Sequence, residues 1–231
     1  MISRIRDRLR REILKRLRSP EANRIGVIEH TNYPHSFIML NRFKPGSVAI
    51  DVGCAEDADF SQVMIQTYGV KSFAVDPTRK HAAALRALEA GSGGQMIYCP
   101  YAVGAEDGLV TFYEHPTAQS GSLLTEHINI RGGDTVAYEV ESLTIGSLVD
   151  RLGLDRVDIL KLDIEGAEYD LLNNSDLSIL DRFDQIFIEF HHHAVERYTR
   201  DDTLQLASRI RDQGFKSFTF DDHNFLFYRS Q

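Results

Sequence analysis

Ser47-Val48-Ala49-Ile50-Asp51-Val52-Gly53-Cys54-Ala55 follows Pro45–Gly46 and reads as a short buried strand ending in a charged, glycine-bearing loop. Residues 58–68 place Phe60, Val63, Met64 and Thr67 on one side of a helix. The alternation continues outward. Residues 71–75 predict a strand ending at Asp76–Pro77, residues 79–90 an Ala/Leu-rich helix, and residues 96–98 a third strand. Further on, residues 157–162 predict a buried strand ending at Asp163, residues 167–172 a helix stopped at Asn173–Asn174, and residues 185–190 another strand. Residues 203–213 predict a helix capped by Gly214, and residues 216–220 and 225–228 a closing hairpin. Strands alternating with helices predict an α/β fold: a mostly parallel sheet, helices on both faces, and one antiparallel strand at or near the edge.

The chain has 231 residues, 42% of them hydrophobic and 26% charged, as an ordinary globular domain does. Its apolar runs are far shorter than the ~20 residues of a membrane span. Two cysteines, Cys54 and Cys99, make no disulfide framework, so a cytoplasmic setting is expected. The net charge of −8 is uneven: residues 1–19 hold eight Lys/Arg against Asp7 and Glu12, a net +6, which leaves −14 for the rest. An acidic body argues against a nucleic-acid groove.

In the basic arm Ile2, Ile5, Leu9, Ile13 and Leu17 recur at helical spacing, and Ser19–Pro20 is expected to end the helix. A basic helix packed on the domain or on a second subunit is the favoured reading. The competing one is a helix lying on an anionic membrane surface, peripherally at the inner face, through residues 1–19. The predicted organisation is thus a basic amphipathic helix over residues 1–20 and a main domain over residues 21–231. A substrate-side insert, around residues 104–147, contains strands near 109–113 and 136–140. Oligomeric state is left open.

Ligands of open α/β sheets sit beyond the carboxyl ends of the strands. Asp51, Gly53 and Cys54 lie at such an end, but the loop lacks the glycines that seat a pyrophosphate and carries Glu56, Asp57 and Asp59 instead. It therefore suits a cationic or zwitterionic ligand such as S-adenosylmethionine better than a nicotinamide cofactor. Asp76–Pro77, at the end of the second strand, fits a carboxylate that accepts hydrogen bonds from ribose hydroxyls. Tyr101 and Ala102, after the third strand, are the expected neighbours of the adenine. Lys161, Asp163 and Glu165 share one strand face at the end of the fourth strand, an arrangement foreign to a plain core strand. Glu189 and His191–His192–His193 end the fifth. Adjacent histidines rarely ligate one ion together, so no metal site is assigned, although a divalent metal held by Asp163, Glu189 and His191 is the runner-up.

Together Asp51–Val52–Gly53, Asp76–Pro77, Ala102–Val103–Gly104, Gly121–Ser122, Lys161-Leu-Asp-Ile-Glu-Gly-Ala-Glu168 and Ile188-Glu-Phe-His191 resemble the FkbM family of methyltransferases over residues 46–228. The Lys-x-Asp-x-Glu-Gly-x-Glu block is the most specific piece. The resemblance implies a Rossmann-like class I methyltransferase that moves a methyl group from S-adenosylmethionine to a hydroxyl of a sugar, a glycan (a lipid-linked one included) or a secondary metabolite. Where the family's first loop usually reads Asp-x-Gly-Ala-Asn-x-Gly, this chain has Ala55 for the asparagine and Asp57 for the second glycine. Asp76 stands where the family more often has glutamate. Asp163 is the first candidate for the base and His191 the second; Glu165 orients the acceptor or the base, and Lys161 positions an acid partner. A subunit that binds S-adenosylmethionine without catalysis is the reading from another class.

Overall fold

Seven strands form the central sheet: β3 (Val48–Val52), β4 (Lys71–Val75), β5 (Met96–Cys99), β10 (Val157–Leu162), β11 (Phe183–Glu189), β12 (Lys216–Thr219) and β13 (Asn224–Tyr228). Their spatial order is β12-β13-β11-β10-β3-β4-β5. All neighbours pair in parallel except β13, which runs antiparallel to both β11 and β12. The structure, a computed structural model, describes residues 2–32, 35–118, 120–128, 130 and 134–230, with side chains in the N-terminal helix from Glu12 on.

The helices α2 (Asp59–Tyr68), α3 (Ala82–Gly91), α4 (Ile145–Arg151), α5 (Glu168–Asn174) and α6 (Arg200–Asp212) connect or flank these strands. The strands read as unbroken apolar runs because both faces are covered. Ile50, Val52, Leu160, Leu162, Ile186 and Ile188 pack on one side with Leu148, Tyr169, Leu206 and Ile210. Ala49, Ile159 and Phe187 pack on the other with Phe60 and Met64. That second face is completed by a hairpin the sequence pattern did not suggest, β1 (Val27–Asn32) with β2 (His35–Leu40). Phe37 meets Phe60 and Phe187 edge to face, and the Gln185 side chain bonds both the N–H and the C=O of Leu40.

The insert forms a second small sheet, ordered β6-β9-β7-β8: β6 (Ala102–Val103), β7 (Gly108–Glu114), β8 (Gly121–Ser122) and β9 (Val136–Leu143). It stands beside the carboxyl edge of the main sheet.

The N-terminal helix α1 spans Ile2–Ile25 and runs through Pro20, so the expected end at Ser19–Pro20 is corrected. A proline inside a helix costs ~3 kcal/mol. Docking overrides that cost here: Ala22 is buried, Lys15 pairs with Glu29, and Arg18 lies 2.8 Å from Asp222. The side chains of Ile2, Ile5 and Leu9 lie outside the described residues. Ile13 and Leu17 are 57% and 71% exposed, so this part of the apolar stripe faces away from the body. No described helix is long and apolar enough to cross a membrane.

Candidate active site

The parallel register of β3 and β10 sets Asp51 beside Lys161. Asp51 is fully buried, and its Oδ2 accepts from the Ser61 N–H at 3.1 Å and the Ser61 hydroxyl at 2.7 Å. It thereby serves the first turn of α2, whose own N-cap, Ala58, has no side-chain acceptor. Lys161 Nζ lies 3.3 Å from Asp51 Oδ1 and 3.3 Å from Asp163 Oδ2, and donates to the Gly53 carbonyl at 3.0 Å. Burial works against the ammonium, but Asp163 and then Asp51 outweigh it and raise its pKa. Lys161 is a buried, charged clasp between two strand ends.

Beyond that clasp the loop after β3 turns at Gly53, with φ +74°. A Cβ there would sit 1.7 Å from the Asp163 carbonyl oxygen, so only glycine lets this loop cross the end of β10. Asp76 Oδ2 accepts from the Ala55 N–H at 3.0 Å and Oδ1 from the Thr78 N–H at 2.7 Å. The carboxylate is thus fixed at the crevice with lone pairs to spare. Burial and the nearby Asp76 and Asp51 hold the Cys54 thiol well above its ordinary pKa, which disfavours the thiolate.

Between these groups opens a cavity of about 350 Å³. Gly53, Cys54, Asp76, Pro77, Tyr101 and Ala102 line one part of it. Lys161, Asp163 and Glu165 line another, and Phe112, Ser120, Gly121 and Leu123 of the insert close it over. Asp51 and His191 stand behind the wall rather than on it. The volume lies within the range of small-molecule sites, and the wall joins a glycine cradle and a fixed acid to apolar and aromatic surface. A glycine cradle, an acid with free lone pairs and an aromatic wall are chemistry that S-adenosylmethionine fits.

Strand ends also assemble the polar cluster. Asp163 Oδ1 lies 3.5 Å from His191 Nε2, and Glu165 Oε2 lies 3.6 Å from the same nitrogen. His191 Nδ1 is held by Glu168 Oε1 at 2.9 Å, and that oxygen also accepts from the Ile164 N–H. Glu168 is fully buried. Burial opposes a charged ring, but Glu168, Glu165 and Asp163 prevail and raise the His191 pKa well above its ordinary value.

Glu165 has a left-handed backbone, φ +54°, with Ser122 Oγ bonded to its carbonyl and Ser120 to its carboxylate. Burial would raise its pKa, yet His127, 2.8 Å from Oε2, and His191 hold it at about 2. Burial, reinforced by Asp163, lifts Glu189 to about 8.

Sequence reasoning missed His127, Ser120 and Ser122 as supports of Glu165, and Glu168 as the group that orients His191. Ser120 and His127 sit in loops without periodicity, and Ser122, in β8, is marked only through the Gly121–Ser122 segment of the resemblance, which assigns it no role. Glu168 belongs to the Lys-x-Asp-x-Glu-Gly-x-Glu block, but its orienting role rests on contact with His191, 23 residues further along the chain.

A parallel sheet with one antiparallel strand next to its edge, and a crevice of this kind at the carboxyl ends, define a class I methyltransferase dependent on S-adenosylmethionine. The profile of the methyltransferase FkbM domain matches residues 58–217, and the chain belongs to that family. A search of curated proteins returns no match. Among solved structures, a fibrillarin/Nop5p complex shares 11% identity at a TM-score of 0.48, covering 81% of this chain and 75% of that one. The METTL16 methyltransferase domain shares 7% at 0.48, covering 82% and 61%. TrmK of M. capricolum, bound to S-adenosylhomocysteine, shares 14% at 0.40, covering 82% and 65%.

Proposed function

We propose that the enzyme methylates oxygen, at a hydroxyl of a sugar, a glycan or a secondary metabolite. The observation that carries this reading is Asp163, a carboxylate on the cavity wall, 14% exposed and fixed from behind by Lys161 and His191. S-adenosylmethionine, when bound, supplies an electrophilic methyl carbon on a sulfonium. A hydroxyl is a weak nucleophile near neutral pH, so a group that takes its proton is worth ~10²–10⁴-fold. Asp163 is that group in this reading. Glu165 and its serine supports orient the acceptor, while Lys161 and His191 hold Asp163 in place from behind. The acidic body favours a neutral or cationic acceptor over a nucleic acid.

Asp163→Asn removes the proton acceptor and keeps the shape. Turnover on a sugar or glycolipid panel should fall by ~10² or more, while calorimetric affinity for S-adenosylmethionine stays within a few-fold. A variant with near-normal turnover refutes the role.

A second reading concerns the acceptor's location. Exposed Ile13 and Leu17, flanked by exposed Arg16, favour α1 as a peripheral anchor on an anionic bilayer. A lipid-linked sugar is then the natural acceptor. Phosphatidylglycerol-containing vesicles should retain the full chain at low salt and release it at high salt. A chain lacking residues 1–19 should stay unbound; equal retention of the truncated chain overturns the anchor.

A further inference from the structure

We propose that Asp163, Glu165 and His191 form a binding site for one divalent cation of the Mg²⁺/Mn²⁺ class, which recruits acceptors carrying neighbouring hydroxyls. This rests on the O-methylation reading and narrows its substrate to a diol. The three side chains each offer one ligand atom, and these atoms all lie within 4.8 Å of one another. His191 Nε2 sits 3.5 Å from Asp163 Oδ1 and 3.6 Å from Glu165 Oε2. Donors at ~2.1 Å from one ion, at right angles, stand ~3 Å apart. Contraction by a few tenths of an ångström brings each of these pairs into range, on side chains rather than backbone.

The support behind the histidine is that of a metal ligand. Its far nitrogen, Nδ1, is held by the fully buried Glu168 at 2.9 Å, which leaves Nε2 aimed between the two carboxylates. Glu165 is likewise fixed, by Ser120 and by His127. The runner-up reading of the sequence has Glu189 as the third ligand; Glu189 lies outside the triad, and Glu165 takes its place. Two carboxylates and one imidazole suit Mg²⁺ or Mn²⁺, and three protein donors leave coordination positions for oxygens of another molecule. Asp163 and Glu165 line the cavity while His191 lies behind them, so the open side of the triad faces the cavity. An ion there would gather two adjacent hydroxyls and set one of them beside Asp163, whose Oδ2 is turned toward Lys161 and is not a ligand.

Titration of the full chain with Mn²⁺ in the presence of S-adenosylhomocysteine, read by loss of the free-ion electron paramagnetic resonance signal, tests the site. One Mn²⁺ per chain is expected, with affinity reduced at least tenfold in both Glu165→Gln and His191→Asn. Unchanged calorimetric binding of S-adenosylhomocysteine shows that each variant is folded; if one is not, the other decides. Absence of stoichiometric Mn²⁺ binding up to millimolar concentration, or equal binding by wild type and both variants, overturns the proposal. Methyl transfer to sugars that persists undiminished after chelation also overturns it and leaves the O-methylation reading standing. Stoichiometric Mn²⁺ binding lost in the variants, without transfer to any hydroxyl, supports the site and removes that reading instead.

Discussion

Lys161 is the side chain on which the two catalytic-edge strands depend. It is buried, touches both Asp51 and Asp163, and also satisfies the Gly53 carbonyl. Removing one partner of a buried ionic cluster leaves the others desolvated and unmatched, at a cost of ~3–5 kcal/mol. Lys161→Met keeps the volume of the stem and discards the charge, so the urea midpoint should fall by the equivalent of that amount. A shift of less than about 1 kcal/mol would mean that the cluster relaxes into water. Much of this arrangement was legible in the chain itself. Lys161 lies within an apolar run, where a charge needs an acid, and Asp163 and Glu165 follow at steps of two; the shared strand face expected for them is corrected, because β10 ends at Leu162 and Glu165 turns left-handed. The particular acid was not legible, because pairing with Asp51 follows from the register of strands more than a hundred residues apart in sequence. His127 stayed hidden for a similar reason, since its meaning comes only from lying 2.8 Å from Glu165.

At the scale of elements, helix ends show the same division. The Thr199 side chain accepts from the Asp202 N–H, and the Asp202 carboxylate receives the Thr199 N–H, a complete capping box at the start of α6. α6 buries Leu206, Ala207 and Ile210 and closes one face of the sheet. Thr199→Ala should therefore cost ~1 kcal/mol of global stability, seen as a lower denaturant midpoint with an unchanged slope. A lowered slope with no change in midpoint would assign the box to local fraying instead. Strands of the parallel core were readable because burial on both faces writes a continuous apolar run. The β1–β2 hairpin was not, because Glu29, His30 and Thr31 dilute its pattern. Its place is set by contacts remote in sequence, above all the two bonds from Gln185 to Leu40. Pro20 misled for the converse reason: a local stop signal lost to the tertiary contacts of Arg18, Ala22 and Lys15.

The whole molecule is joined across its ends by Asp222, in the turn between β12 and β13. Arg18 of α1 reaches it at 2.8 Å and Arg200 of α6 at 2.9 Å. The next residue, His223, stacks on His192 beside the polar cluster and accepts the Phe190 N–H. One carboxylate therefore ties the N-terminal helix, α6 and the active-site strand end into a single network. Burial alone would raise the pKa of Asp222, but Arg18 and Arg200 overcome it and lower the value. A depressed folded pKa means that the carboxylate stabilises the fold fully above the unfolded value of about 3.9, and that this contribution disappears as pH falls through the folded value. Asp222→Asn isolates the charge, because the residue sits at φ +68° and asparagine accepts a left-handed backbone readily. The variant should melt several degrees below wild type at pH 7, as the loss of ~1–3 kcal/mol of charge-assisted hydrogen bonding requires. Wild type alone has the contribution to lose, so the gap should narrow below about pH 3.9 and close once the carboxyl is protonated in the fold as well. A gap that stays constant from pH 7 to pH 2 would show that Asp222 acts through its shape and not its charge. In that case Arg18 would hold α1 by packing and by its bond to the Thr219 carbonyl alone.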